Sequence, residues 1–169
     1  MGTLAATPAR WNLLTQQTLF GELKRPDPRS PGAFVYSNDG WEGYPATRER
    51  ILRRWVEAGV SNPVALGGDI HTFTAADLEL DGRIVGSEFV GGSITSLGGD
   101  RATWDRLGQV NPRIAFADGE VRGYGLVEIT PEACDVRFRA VESALVPRSP
   151  IRDLARFVVE DRARGLKRA

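Results

Sequence analysis

The chain has 169 residues, 41% hydrophobic and 26% charged, an ordinary globular composition with enough length to bury one core. Lys plus Arg (22) balances Asp plus Glu (22), so no general attraction to polyanions exists and nucleic acid is not an expected partner. One cysteine, Cys134, rules out an intramolecular disulfide, and no apolar run approaches the roughly 20 residues that span a bilayer.

Met1 to Ala6 has neither a basic region nor a long apolar core, so no export signal is expected. Trp11, Leu13, Leu14, Leu19 and Phe20 predict a strand running into a less regular element. From Gly21 to Gly32 the prolines Pro26, Pro28 and Pro31 and alternating charges predict a mobile surface loop. Phe34-Val35-Tyr36 reads as a short strand that sets up Asn38-Asp39-Gly40. The stretch after it offers candidates for a substrate pocket: Trp41 or Tyr44 as a wall, Asp39 in the turn, and Arg48 pairing bidentately with a phosphate oxygen. The same residues fit a structural role, with the two aromatics plugging a helix against a sheet and Asp39 supporting a turn.

Pro45 opens a predicted helix whose apolar face is Ile51, Leu52, Trp55 and Val56, and Gly59 ends it near Ala58. A short connection, Ser61-Asn62-Pro63, leads into a buried strand at Val64 to Leu66. That strand runs into Gly67-Gly68-Asp69-Ile70-His71, which places a carboxylate and the only histidine at its carboxyl end, where ligands sit in layered α/β folds. Asp69 offers a hard anionic oxygen and His71 a neutral imidazole nitrogen. In extended backbone a two-residue offset returns both side chains to one side, and the two glycines allow close approach. The pattern is that of a metal-ligand pair, although a turn aspartate beside a hydrogen-bonded histidine gives the same letters.

Beyond His71 the chain turns mostly to β. Ala75 to Leu80 and Arg83 to Val90 flank Asp81-Gly82, a two-residue hairpin signal. The run Gly91 to Gly99 is rich in glycine and hydroxyls; it reads as an ordinary loop, with an anion cradle as the alternative, and it lacks the P-loop lysine. Trp104 to Leu107 predicts a short helical turn. Three strands follow at Arg113 to Ala117, Arg122 to Thr130 and Cys134 to Val141, the last alternating through Val136, Phe138 and Ala140. Leu154 to Glu160 reads as a final edge strand or short helix, and Arg162 to Arg168 as a basic, frayed tail.

Several of these stretches occur together in one known family. Asn38-Asp39-Gly40-Trp41-Glu42-Gly43-Tyr44-Pro45 with Arg48, Gly67-Gly68-Asp69-Ile70-His71, Glu88-Phe89-Val90, Ser93-Ile94-Thr95-Ser96 and Arg122-Gly123-Tyr124 resemble, in order and spacing, the C-terminal portion of the PhoD-like alkaline phosphatase catalytic domain. Trp11 to Gln17 is similar to the strand preceding that region. The resemblance covers residues 6–164 and leaves 165–169 as a basic tail. It implies the C-terminal part of a four-layer α/β/β/α metallophosphoesterase core, a mixed sheet with a β-rich second half. It also implies metal-dependent hydrolysis of phosphate mono- and diesters with iron and calcium, in a family often exported to the periplasm or beyond.

Only Asp69 and His71 match the family's last metal-binding motif. The earlier aspartates, the Gly-Asn-His-Asp-type stretch and the cysteine ligand would precede Trp11, and Cys134 lies in the wrong region to replace that cysteine. The chain is therefore expected to be inactive by itself, or active only with an N-terminal partner segment. The other reading is a non-catalytic α/β module that kept the fold and lost the chemistry.

Overall fold

A computed structural model describes residues 8–169; the expectations about an export signal at Met1 to Ala6 and about where the family resemblance begins lie outside them. Eleven strands and two helices are arranged as two stacked sheets with both helices on one side. The first sheet contains β1 (Asn12–Thr15), β4 (Pro63–Gly67), β6 (Arg83–Val90), β5 (Phe73–Leu80) and β7 (Ile114–Asp118), in that spatial order. The β1–β4 and β4–β6 pairings are parallel and the β6–β5 and β5–β7 pairings antiparallel, so the sheet is mixed as expected. The second sheet is wholly antiparallel, in the order β11 (Lys167–Arg168), β10 (Ile151–Glu160), β9 (Ala133–Val141), β8 (Arg122–Ile129). A small ladder joins β2 (Arg25–Pro26) to β3 (Phe34–Val35).

The core between the sheets follows from period-two alternation. Cys134, Val136, Phe138 and Ala140 of β9 are fully buried, and the residues between them are only partly so. From the first sheet they meet Val64, Phe73, Ala75 and Phe89. The outward residues of the second sheet are charged instead: Arg137 pairs with Glu128 and Asp135, Arg139 with Asp153, and Arg156 with Asp135. Burial pushes the Cys134 thiol up to about 11, which keeps it an inert apolar plug as its strand setting suggested.

On its other face the first sheet carries α1 (Pro45–Glu57), which buries Leu52 and Trp55 against Phe20, Ala65, Leu78 and Val85. Val56, expected on that face, is half exposed. Gly59 ends the helix at φ +59°, and Asp81-Gly82 turn the β5–β6 hairpin at φ 50° and 77°, the pair of left-handed residues that a two-residue turn needs.

Four expectations are corrected. The stretch after Gly21 is not a mobile loop at its start: Leu23 is buried, and the Asn111 side chain accepts from the Lys24 N–H at 2.8 Å and donates to its carbonyl at 2.9 Å. The short helical turn is the ten-residue α2 (Arg101–Val110), because Asp100 caps it by accepting from the Thr103 N–H at 2.7 Å. The final edge strand is ten residues long and lies inside the sheet, between β9 and β11. The frayed tail is folded: Leu166 packs on the core, its N–H donates to Asp77 at 2.9 Å, and Lys167–Arg168 form β11.

One side chain ties distant parts of the chain together. Asn62, buried at φ 44°, donates to the Arg10 carbonyl at 2.9 Å and to Asp161 at 2.6 Å, and accepts from the Arg162 N–H at 2.8 Å.

Candidate functional site

The three parallel strands β1, β4 and β6 all point their carboxyl ends to the same edge of the sheet. The loops that leave them there are Gln16-Gln17, Gly68 to Thr72 and Gly91 to Gly99. Backbone bonds knit these loops together: the Gly68 N–H donates to the Gln17 carbonyl at 3.1 Å, and the Gly91 N–H to that of Gly67 at 3.0 Å. Gly67 is required by this closeness, since a Cβ there would lie 2.1 Å from the Thr18 carbonyl oxygen.

Asp69 and His71 sit in the central loop, both solvent-exposed. Their backbone is not extended. Asp69 has φ 67° and His71 φ 55°, so the argument that a two-residue offset in a strand puts both side chains on one side does not apply. Two left-handed non-glycine residues in one short loop are backbone strain of the sort that concentrates at working sites. His71 Nδ1 lies 3.1 Å from the Leu97 carbonyl oxygen. A carbonyl only accepts, so Nδ1 is the donor in this bond, and in the neutral ring Nε2 is then the nitrogen with a lone pair to offer a ligand.

The Leu97 carbonyl was not legible from residue types, because any residue supplies a carbonyl. Gly98, next to it, was a usable signal. A Cβ there would meet the His71 carbonyl oxygen at 2.2 Å and that of Gly119 at 2.6 Å, so only glycine lets this loop lie against His71. Gly98→Ala should push the loop off the ring. The ¹⁵N shifts of His71 should then change from a single Nδ1–H tautomer to a mixture; an unchanged tautomer would show that Leu97 does not hold it.

The other candidates divide into two groups. Asp39, Trp41 and Tyr44 line one surface depression together with Gln17 and Thr18, beside the Gly68 loop. Trp41 also serves packing, with its ring edge-on to Phe20 at 5.1 Å and its N–H donating to Gln16 at 3.1 Å, while Tyr44 and Asp39 stay exposed. Arg48 does not join them. It turns inward, 3.8 Å from Glu22, and its positive charge acts on the buried Glu88. Of these two carboxylates Glu22 is exposed and Glu88 buried, and Arg48 also lines a second depression with Tyr36, Asn38 and Glu42.

Residues 1–138 match the family model described as PhoD-like phosphatase. The chain belongs to the PhoD-like phosphatase family. It is 35% identical over 173 aligned residues to the alkaline phosphatase D of Bacillus subtilis (strain 168), a match covering 98% of this chain and 29% of that protein. It is similar, at TM-score 0.86 and 35% identity, to a solved structure titled "Structure of PhoD", covering 98% of this chain and 33% of that one. The chain thus spans about a third of the length of the PhoD-like relatives it matches.

Within this PhoD-like fold, Asp69 and His71 stand without a third partner: among the described residues no group of three or more His, Cys, Asp or Glu side chains is placed to hold a metal ion. No helix among those residues is long and apolar enough to cross a membrane.

Proposed function

We propose that this chain contributes one arm, Asp69 and His71, to the site of a metal-dependent phosphate mono- or diesterase. The observation that carries the reading is the His71–Leu97 bond, which occupies one ring nitrogen and leaves the other for a ligand at the carboxyl ends of three parallel strands. An exposed carboxylate and a tautomer-fixed imidazole are a fitting donor pair for the iron and calcium that the resemblance implies. Bound there, metal ions would polarise phosphate oxygens and lower the pKa of a water nucleophile.

The chain's own residues would do the rest of the positioning. The Leu97 carbonyl fixes the His71 ring, the glycines at 67 and 98 let the loops close around it, and Asp39 and Tyr44 form a rim for the ester. Two donors are too few for a closed site, so the isolated chain should hold metal weakly and turn over little or no ester. The four-layer core belongs to the same reading, with the fourth layer coming from the part of the domain that relatives have and this chain does not cover.

The test is the metal content of the purified chain beside Asp69→Ala and His71→Ala, with a phosphodiester hydrolysis assay in parallel. Substoichiometric metal that falls further in both variants, with no turnover, is the expected result. Stoichiometric metal retained in both variants would remove Asp69 and His71 from the site.

A further inference from the structure

The segment from Asn38 to Arg48 presents its residues to two separate depressions. Asp39, Trp41 and Tyr44 line the one beside the Gly68 loop, whereas Asn38, Glu42, Gly43 and Arg48, with Tyr36, line another, and no residue is common to both. The second depression has a volume of about 400 Å³, enough for a small organic molecule. Gly43, at the end of the turn Trp41–Gly43, makes its wall possible. A Cβ there would lie 2.7 Å from the Ser37 carbonyl oxygen and 2.8 Å from the Asn38 Cα, so only glycine lets the turn lie against the chain leaving β3.

Two charged side chains of this depression each keep one hydrogen-bonding atom unused. The Glu42 side chain is only 8% exposed; its Oε1 accepts from Arg25, and its buried Oε2 has no partner among the described residues. The Arg48 side chain is 13% exposed; its Nη2 faces Glu22 at 3.8 Å, and its buried Nη1 has no partner among those residues either. A carboxylate and a guanidinium that line one depression without bonding each other are held apart by the fold. Buried polar atoms are otherwise satisfied in folded proteins, and a bound group that meets both would remove the cost of leaving them unmet. The first turn of α1 adds positive potential on the Arg48 side, since it carries no acidic residue and no side chain caps it.

We infer that this depression is a second binding site, for a small zwitterion of the amino-acid type, with the ammonium on Glu42 Oε2 and the carboxylate on Arg48 Nη1. The balance of charge selects that class. Arg25 and Arg48 offset Glu22 and Glu42, so the surroundings favour a ligand of no net charge with separated ends. An anion alone would leave the Glu42 oxygen unpaired, and a cation alone the Arg48 nitrogen. Tyr36, half exposed, offers an aromatic face to the carbon chain between the two ends.

This inference does not depend on the metal reading of Asp69 and His71. The experiment titrates the ¹⁵N-labelled chain with glycine, β-alanine and 4-aminobutanoate, zwitterions of increasing span, and with butylamine and butanoate, which carry one end each. Saturable shifts confined to the amides of residues 36–38 and 42–48 are expected with at least one zwitterion, and the one-ended compounds should bind at least tenfold more weakly. Glu42→Gln and Arg48→Lys should each weaken the zwitterion at least tenfold, the lysine keeping the charge near Glu88 but not the fork that serves Glu22 and a ligand together. Glu49→Gln, which removes an exposed charge from the next position of α1, should leave binding unchanged, and thermal melts verify that all three variants fold. The comparison of zwitterions with one-ended compounds uses the parent chain and stands without any variant. No saturable binding by any zwitterion, equal binding of butylamine or butanoate, or an affinity unaffected by either replacement would overturn the inference.

Discussion

Replacing Glu88 by Ala should cost about 3 kcal/mol of stability, because a buried donor and a partly buried one lose their acceptor, at about 1–3 kcal/mol for a buried group. Glu88 is fully buried in β6, and its carboxylate accepts from the Phe20 N–H at 2.6 Å and the Gly21 N–H at 2.7 Å. Those bonds hold the chain that leaves β1 across the back of the sheet, where Phe20 joins the α1 core. Burial pushes the carboxyl from its ordinary 4.5 up to about 7, although both N–H donors and the charge of Arg48 favour ionisation.

The sign of the resulting pH dependence follows directly. Below pH 4.5 Glu88 is protonated in both states, and its contribution is fully present. Between 4.5 and about 7 the unfolded chain releases this proton first, so stability falls as pH rises. Above 7 the loss levels off on the order of 3 kcal/mol. Asp77, raised mainly by burial, acts in the same direction, whereas Asp135, held low by Arg156, acts oppositely. Urea midpoints from pH 4.5 to 8 should show this decline in the parent and a flatter profile in Glu88→Gln. Equal slopes in the two proteins would mean that Glu88 titrates normally.

Phe138→Ala should cost about 3–5 kcal/mol, a large share of the roughly 5–15 kcal/mol that holds a domain together. Phe138 is the hub of the core between the sheets, with ring centroids 5.1 Å from Phe73, 5.9 Å from Phe116, 5.8 Å from Phe157 and 6.5 Å from Phe89. Both sheets contribute to that cluster, so no single strand can shift to fill the space left behind. Phe138→Leu keeps most of the volume and should cost about 1 kcal/mol. Chemical denaturation distinguishes these outcomes, and a loss under 1 kcal/mol for the alanine variant would show that the sheets do not depend on this ring.

The elements with strong local chemistry were legible in the sequence. Pro45 and Gly59 bracket α1, Asp81-Gly82 turn the hairpin, and the alternation of Val136, Phe138 and Ala140 gives β9 and its buried face. What sequence reasoning missed depends on partners far along the chain. Leu23 and Lys24 look like loop until Asn111 is brought beside them, and residues 164–168 look like a basic tail until Asp77, Val85 and Phe116 receive them. At the site the residue types were readable but the geometry was not: the loop holding Asp69 and His71 is left-handed at both positions. Arg48 could not be placed from the sequence for the reverse reason. A phosphate-binding guanidinium and one beside a protein carboxylate have the same letter, and the nearness of Glu22 and Glu88 is information that only the fold supplies.

The bonds made by Asn62 set the order of events during synthesis. Its amide joins Arg10, 52 residues before it, to Asp161 and Arg162, 99 and 100 residues after it, so the joint cannot close until those two residues have left the ribosome. Contacts of such long separation slow folding, because the loop must be closed before the contact rewards it. β1 and β4 can pair early, yet the inner face of the sheet they begin stays uncovered until β9 and β10 have been translated. A sheet whose apolar face stays bare for that interval is prone to aggregate while the chain is being made.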